Sequence, residues 1–180
     1  MFKIFLTNLG KYNEGELVGE WLNLPATDEE IEECKKRIGI NEDEPDPVTG
    51  ALYAEYFITD FSNDIGYSVG EYDNLDELNE LAERVEDMDE YTADFIKAYM
   101  ENYDNDFTRA LEAAESGDFC YWPDCSDMED VARAILDETG ELDGIPDKFV
   151  TYFDFDAYGR DLEINGYFWY SNGGYYEYYG

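Results

Sequence analysis

The sequence contains no histidine, and only 11 of its 180 residues are lysine or arginine. The first absence removes the commonest general base and every Ser-His or Cys-His nucleophile arrangement, so no enzyme is expected. The second removes the cationic stripe with which proteins hold nucleic-acid phosphates, so direct nucleic-acid binding is excluded. Cysteine is scarce and odd in number: Cys34, Cys120 and Cys125. Three thiols suit a reducing compartment better than a disulfide framework, and no charged-then-apolar leader opens the chain, so a cytoplasmic protein is expected. Cys120 and Cys125 have four residues between them (C-x4-C), yet without histidine a zinc site is short of ligands. No apolar run approaches the length of about 18 residues that spans a bilayer. No glycine-rich phosphate loop precedes a helix, and neither metal nor cofactor is expected.

What the chain has in excess is negative charge. Aspartate and glutamate number 46, which leaves a net charge of −35. High charge with few aromatics signals disorder, but here 17% of residues are aromatic and 44% hydrophobic. A folded acidic protein follows. Such a surface repels itself and other anions and complements a basic partner. The excess is not a tail. Residues 1–60 hold 14 acids and 5 bases, residues 61–117 hold 17 and 3, and residues 118–180 hold 15 and 3.

Periodicity gives an α+β chain. Phe2, Ile4 and Leu6 alternate as a half-buried strand, a turn covers Leu9–Gly15, and a second strand falls near residues 17–24. Thr27 with Glu30 reads as a capping box before the stripe Ile31, Cys34, Ile38, which Gly39 ends. A third strand is expected over Leu52–Asp60. Helices follow on Leu75–Val85 (opened by Asn74 and Glu77), on Tyr91–Met100 and on Phe107–Ala114. Residues 119–122 suit a strand. Ser126 with Glu129 reads as the cap of a helix that stops at Gly140, and Pro146 starts a short helix before another over residues 154–162. Asn172-Gly173 closes an aromatic hairpin. One face of that hairpin must pack on its own lobe, and the other is expected to be half exposed, either as simply wet ring edges or, the favoured reading, as a dimer surface. The expected plan is an elongated row of three small lobes: 1–60 (α+β, three strands and a helix), 61–117 (helical) and 118–180 (α+β, with the hairpin).

The first helix carries acids at its start and Lys35, Lys36 and Arg37 at its end, as the helix dipole favours. Later helices do the opposite. The helix from Leu75 ends in Glu86 and Asp87, the next but one carries Glu112 and Glu115, and the helix from Asp127 ends in Asp137 and Glu138. Acids in a last turn cost about 0.3–1 kcal/mol each, so stability is given up for surface charge. Asp76, Glu80, Glu83 and Asp87 form a stripe opposite the leucines. Candidate partner-binding carboxylates are Asp76, Glu77, Glu80, Glu83, Asp87, Glu112, Glu115, Asp127, Asp130, Asp137 and Glu138. B-DNA carries one charge per about 1.7 Å, so 35 charges correspond to roughly 60 Å of duplex. Asp104, Asn105 and Asp106 with Glu115 echo a calcium loop, but Arg109 stands where its turn needs glycine. Arg160 follows Asp156 by four residues and suits an intrahelical pair.

Three stretches resemble the ArdA family of antirestriction proteins. They are Asn8-Leu9-Gly10-Lys11-Tyr12-Asn13-Glu14-Gly15-Glu16, Asp127–Arg133 with Glu138-Thr139-Gly140, and Tyr152–Phe168 with its Ala157-Tyr158-Gly159-Arg160-Asp161 core. The resemblance implies a non-catalytic mimic of double-stranded DNA that occupies the basic groove of a type I restriction–modification enzyme at its methyltransferase core and protects mobile-element DNA; the hairpin adds the expectation of a homodimer. Two other classes fit the composition: an acidic structural or interaction domain of the kind halophiles use, and a divalent-cation-binding protein.

Overall fold

The computed structural model describes residues 1–41 and 43–180. It is an α+β structure in which two compact units, Met1–Asp89 and Glu90–Gly180, each carry a three-stranded antiparallel sheet.

In the first unit, β1 (Phe2–Asn8), α1 (Leu9–Asn13), β2 (Gly19–Leu24), α2 (Asp28–Arg37), β3 (Tyr56–Ser62) and α3 (Leu75–Glu86) follow in order. The strand order is β2-β1-β3. Alternation sends Phe2, Ile4 and Leu6 to one face, where Ile4 faces Leu22 and Leu6 faces Ile58. The helices α2 and α3 pack on β2 and bring Ile31, Cys34, Leu75, Leu78 and Ala82 into the interior. Each such side chain stabilises the unit by about 1.5–3 kcal/mol relative to exposure. The Thr27–Glu30 capping box is present in both directions. A reciprocal amide pair fixes α3: Asn79 accepts from Ala26 N at 2.7 Å and donates to Ala26 O at 3.0 Å.

Two local expectations shift here. Leu9–Asn13 is a short helix rather than an open turn, because buried Asn8 caps it by accepting from Lys11 N at 3.0 Å. The same amide donates to Ile38 O at 3.1 Å, which ties the start of α1 to the end of α2. The third strand begins at Tyr56, not Leu52, because Tyr53 is drawn out of the sheet onto α1. Its ring covers Gly10, and its hydroxyl donates to Glu14 at 2.7 Å.

The second unit contains α4 (Glu90–Asn102), α5 (Phe107–Ser116), β4 (Phe119–Pro123), α6 (Met128–Thr139), α7 (Asp147–Val150), α8 (Phe155–Asn165), β5 (Tyr167–Ser171) and β6 (Gly174–Tyr178). The strand order is β4-β6-β5, and Asn172 and Gly173 take the positive φ values the tight hairpin needs. Phe119, Tyr121, Trp169, Tyr176 and Tyr178 share one face by register. There Phe95 of α4 stacks on Phe119 at 4.1 Å, and the Tyr176 hydroxyl donates to Tyr91 O at 2.9 Å. The other face carries Cys120, Trp122, Phe168 and Tyr175, which pack with Cys125, Met128, Val131 and Leu162. Helices therefore cover both faces of the aromatic hairpin, which corrects the expectation of a half-open second face. Its two rows of rings are two cores, with only Tyr167, Tyr170 and Tyr179 exposed among the rings of its strands and tail. The helices expected in one central lobe go different ways: α3 packs on β2, and α4 on β5.

The cap of α6 lies one residue later than Ser126 and Glu129 suggest. Asp127 accepts from Asp130 N, while the Asp130 carboxylate accepts from Ser126 N and Ser126 Oγ. Glu129 is thereby released to pair with Arg133.

Candidate functional site

A stripe of exposed carboxylates runs along α3. At 3.6 residues per turn, Asp76, Glu80, Glu83 and Asp87 fall within a sector of about 60°. All four are exposed, while Leu75, Leu78 and Ala82 on the inner side are buried. Glu77 and Glu86, also exposed, flank the stripe. The candidate set omits Glu86, although its spacing of three from Glu83 could have found it. Asn74 fixes the start of α3 by accepting from Asp76 N and Glu77 N. The Glu80 and Glu83 carboxylates have no hydrogen-bond or ion-pair partner among the described residues.

On α5, Glu112 and Glu115 are exposed beyond the buried Ala110, Leu111, Ala113 and Ala114. On α6, Asp137 and Glu138 are exposed in a last turn that carries no base. The remaining two candidates do structural work. Asp127 caps α6, and hydrogen bonds from the Ser126 backbone and side chain hold the Asp130 carboxyl below the usual range. The acids of the calcium-like loop are likewise engaged: Asp104 pairs with Arg109, and Asp106 caps α5.

The few cations are mostly used within the chain. Arg37 holds Glu20 at 2.8 Å, and Arg160 lies 3.5 Å from Asp156 as its spacing predicts. Lys3 sits over Trp21 at 4.7 Å. With 11 bases against 46 acids, one-to-one pairing leaves most carboxylates uncompensated. The thiols offer no nucleophile, since burial pushes Cys34, Cys120 and Cys125 all above the usual thiol range.

The short sequence signatures have structural reasons. Gly159 is the contact point of α8 on α6: a Cβ there would lie 2.3 Å from Met128 O and 2.7 Å from Met128 C. Around the first signature, Lys11 lies 3.6 Å from Asp46 and 5.4 Å from the centre of the Tyr53 ring. That contact pins the loop ahead of β3 to α1. Gly159, Lys11 and Tyr53 thus build the scaffold that holds the acidic helices, while Glu138 of the second signature belongs to the acidic surface itself.

No helix among the described residues is long and apolar enough to cross a membrane. Comparison with curated proteins finds no match. The family model described as antirestriction protein (ArdA) matches residues 4–177, a span that includes all three signatures. Its members are inhibitors rather than catalysts. On this match, with the fold and acidic surface described above, the chain belongs to the ArdA family of antirestriction proteins.

Proposed function

We propose that the chain mimics double-stranded DNA and inhibits type I restriction–modification enzymes by occupying the DNA groove of their methyltransferase core. The observation that carries this reading is the exposed face of α3. Asp76, Glu77, Glu80, Glu83, Glu86 and Asp87 lie along eleven residue steps, about 16 Å of helix, or roughly one carboxylate per 3 Å. A single strand of B-DNA presents one phosphate per about 3.4 Å. The carboxylates of α5 and the last turn of α6 extend the set, and Asp127 and Asp130 take part only through the oxygens their capping bonds leave free. The partner's Lys and Arg side chains meet these carboxylates as they meet phosphates. Because backbone mimicry carries no base code, inhibition is independent of the enzyme's target sequence. In this reading the protein works in the cytoplasm as a homodimer and shields incoming mobile-element DNA.

The test is competition. A purified type I methyltransferase core is bound to labelled DNA, and the protein is titrated in at several salt concentrations. The expected result is stoichiometric displacement that weakens as salt rises. No displacement at low salt from several such enzymes would refute the reading.

A further inference from the structure

The chain between α6 and α8 builds a surface of a different kind. Short turns fold it back on itself: Asp143 N bonds Gly140 O, Ile145 N bonds Leu142 O, and Tyr152 N bonds Phe149 O. Two adjoining hollows of about 600 and 460 Å³ result, and both are lined by Arg133, Asp147, Val150 and Phe155. Together they make an extended groove rather than a closed cavity. Its apolar wall opens to solvent at Ile145, 43% exposed, and at Phe153, 36% exposed. Clustered exposure of large apolar groups marks an interaction surface, and the carboxylate faces described above have no use for it.

The charge around the groove selects the partner. Asp137, Asp143 and Asp147 line it and are exposed. The last turn of α6 adds the partial negative charge of its carbonyls and carries no base. The lining cation, Arg133, is already engaged: its guanidinium stacks over Phe155 at 3.9 Å and pairs with Glu129. Three aspartates against that one engaged cation leave the lining net acidic. We propose that the groove receives a segment of the restriction enzyme in which an apolar side chain is flanked by lysine or arginine. The apolar side chain enters between Val150 and Phe155, and its basic neighbours meet the rim aspartates. A second copy of this chain, itself strongly acidic, is the poorer occupant.

This inference rests on the proposed inhibition of a restriction enzyme and adds an apolar contact, which salt does not screen, beside charge pairs at the rim, which it does. The experiment uses the full chain in the DNA-displacement assay, with two double variants: Ile145→Ser with Phe153→Ser, and Glu80→Gln with Glu83→Gln. All four positions are exposed, and thermal melting checks that each variant folds. The groove variant is expected to lose about tenfold or more in potency with an unchanged salt slope. The α3 variant is expected to lower the slope. Equal potency of the groove variant and the unaltered chain overturns the inference while leaving the mimic in place. So does a groove variant whose only change, by sedimentation equilibrium, is weaker self-association, since the occupant is then a second copy. Failure of the unaltered chain to displace DNA at low salt overturns the parent reading and this inference with it.

Discussion

Replacing Gly159 by alanine should destabilise the second unit, although alanine is the better helix former. At an unconstrained helical position the exchange stabilises by about 1 kcal/mol. At Gly159 the new Cβ would stand 2.3 Å from Met128 O, 2.7 Å from Met128 C and 3.2 Å from Glu129 N. All three are backbone atoms in the first turn of α6, so no side chain can rotate away, and α8 must back off. Overpacking of this kind costs about 1–3 kcal/mol, and a rigid backbone neighbour puts the cost at the upper end. Subtracting the propensity gain leaves about 2 kcal/mol of destabilisation. For a unit of this size that lowers Tm by about 10 °C. Urea and thermal unfolding followed by tryptophan fluorescence read this unit through Trp122 and Trp169, and Trp122 packs with Met128 in the layer that α8 presses on. An unchanged or raised Tm would refute the close-contact argument and reduce Gly159 to an ordinary helix residue.

Asn8→Ala removes both the cap of α1 and the bond to Ile38 O from a fully buried site; about 2–3 kcal/mol is expected to be lost by chemical denaturation. Glu80→Gln with Glu83→Gln should leave stability within about 0.5 kcal/mol of the unaltered chain, as is usual for surface changes; a large loss would show that these carboxylates serve the fold rather than a partner. Burial holds the Glu177 carboxyl above its usual value, against the opposing hydrogen bond from Trp122 Nε1 at 3.0 Å. The folded state therefore binds that proton more tightly than the unfolded state. The associated stability is complete below the ordinary glutamate value of 4.5 and is lost as pH rises through the raised folded value. Glu177→Gln should thus raise Tm near pH 7, with the advantage shrinking as pH falls toward 4.5; a constant offset at every pH would remove burial as the cause. Asp130 works in the opposite sense: its lowered carboxyl stabilises above the usual aspartate range, and the contribution fades as pH falls through the lowered value. Asp130→Asn should therefore lower Tm at neutral pH and lose its effect in acid, as pH-dependent melting would show.

Signals between near neighbours were legible in the sequence, because a helix or hairpin closes its bonds within a few residues. Thr27 with Glu30, Asn74 before α3, Gly117 and Gly140 after α5 and α6, and Asn172-Gly173 all mark real boundaries. Composition alone determined the anionic character of the surface, since 11 bases cannot mask 46 acids wherever they fall. It also ruled out histidine chemistry. Only the tertiary structure decided what each face meets. The doubled aromatics of the hairpin could be read as one wet face, until α4 covers one side and α6 with α8 the other. Asp130 and Glu80 are alike as letters; one is held by Ser126 at a helix cap and the other is left open to solvent. The requirement for Gly159 comes from Met128, 31 residues earlier, and the groove beside Phe155 exists only because the chain folds back on α6. Contacts of that range depend on which surfaces exclude water together, and no local pattern of residue types specifies that pairing.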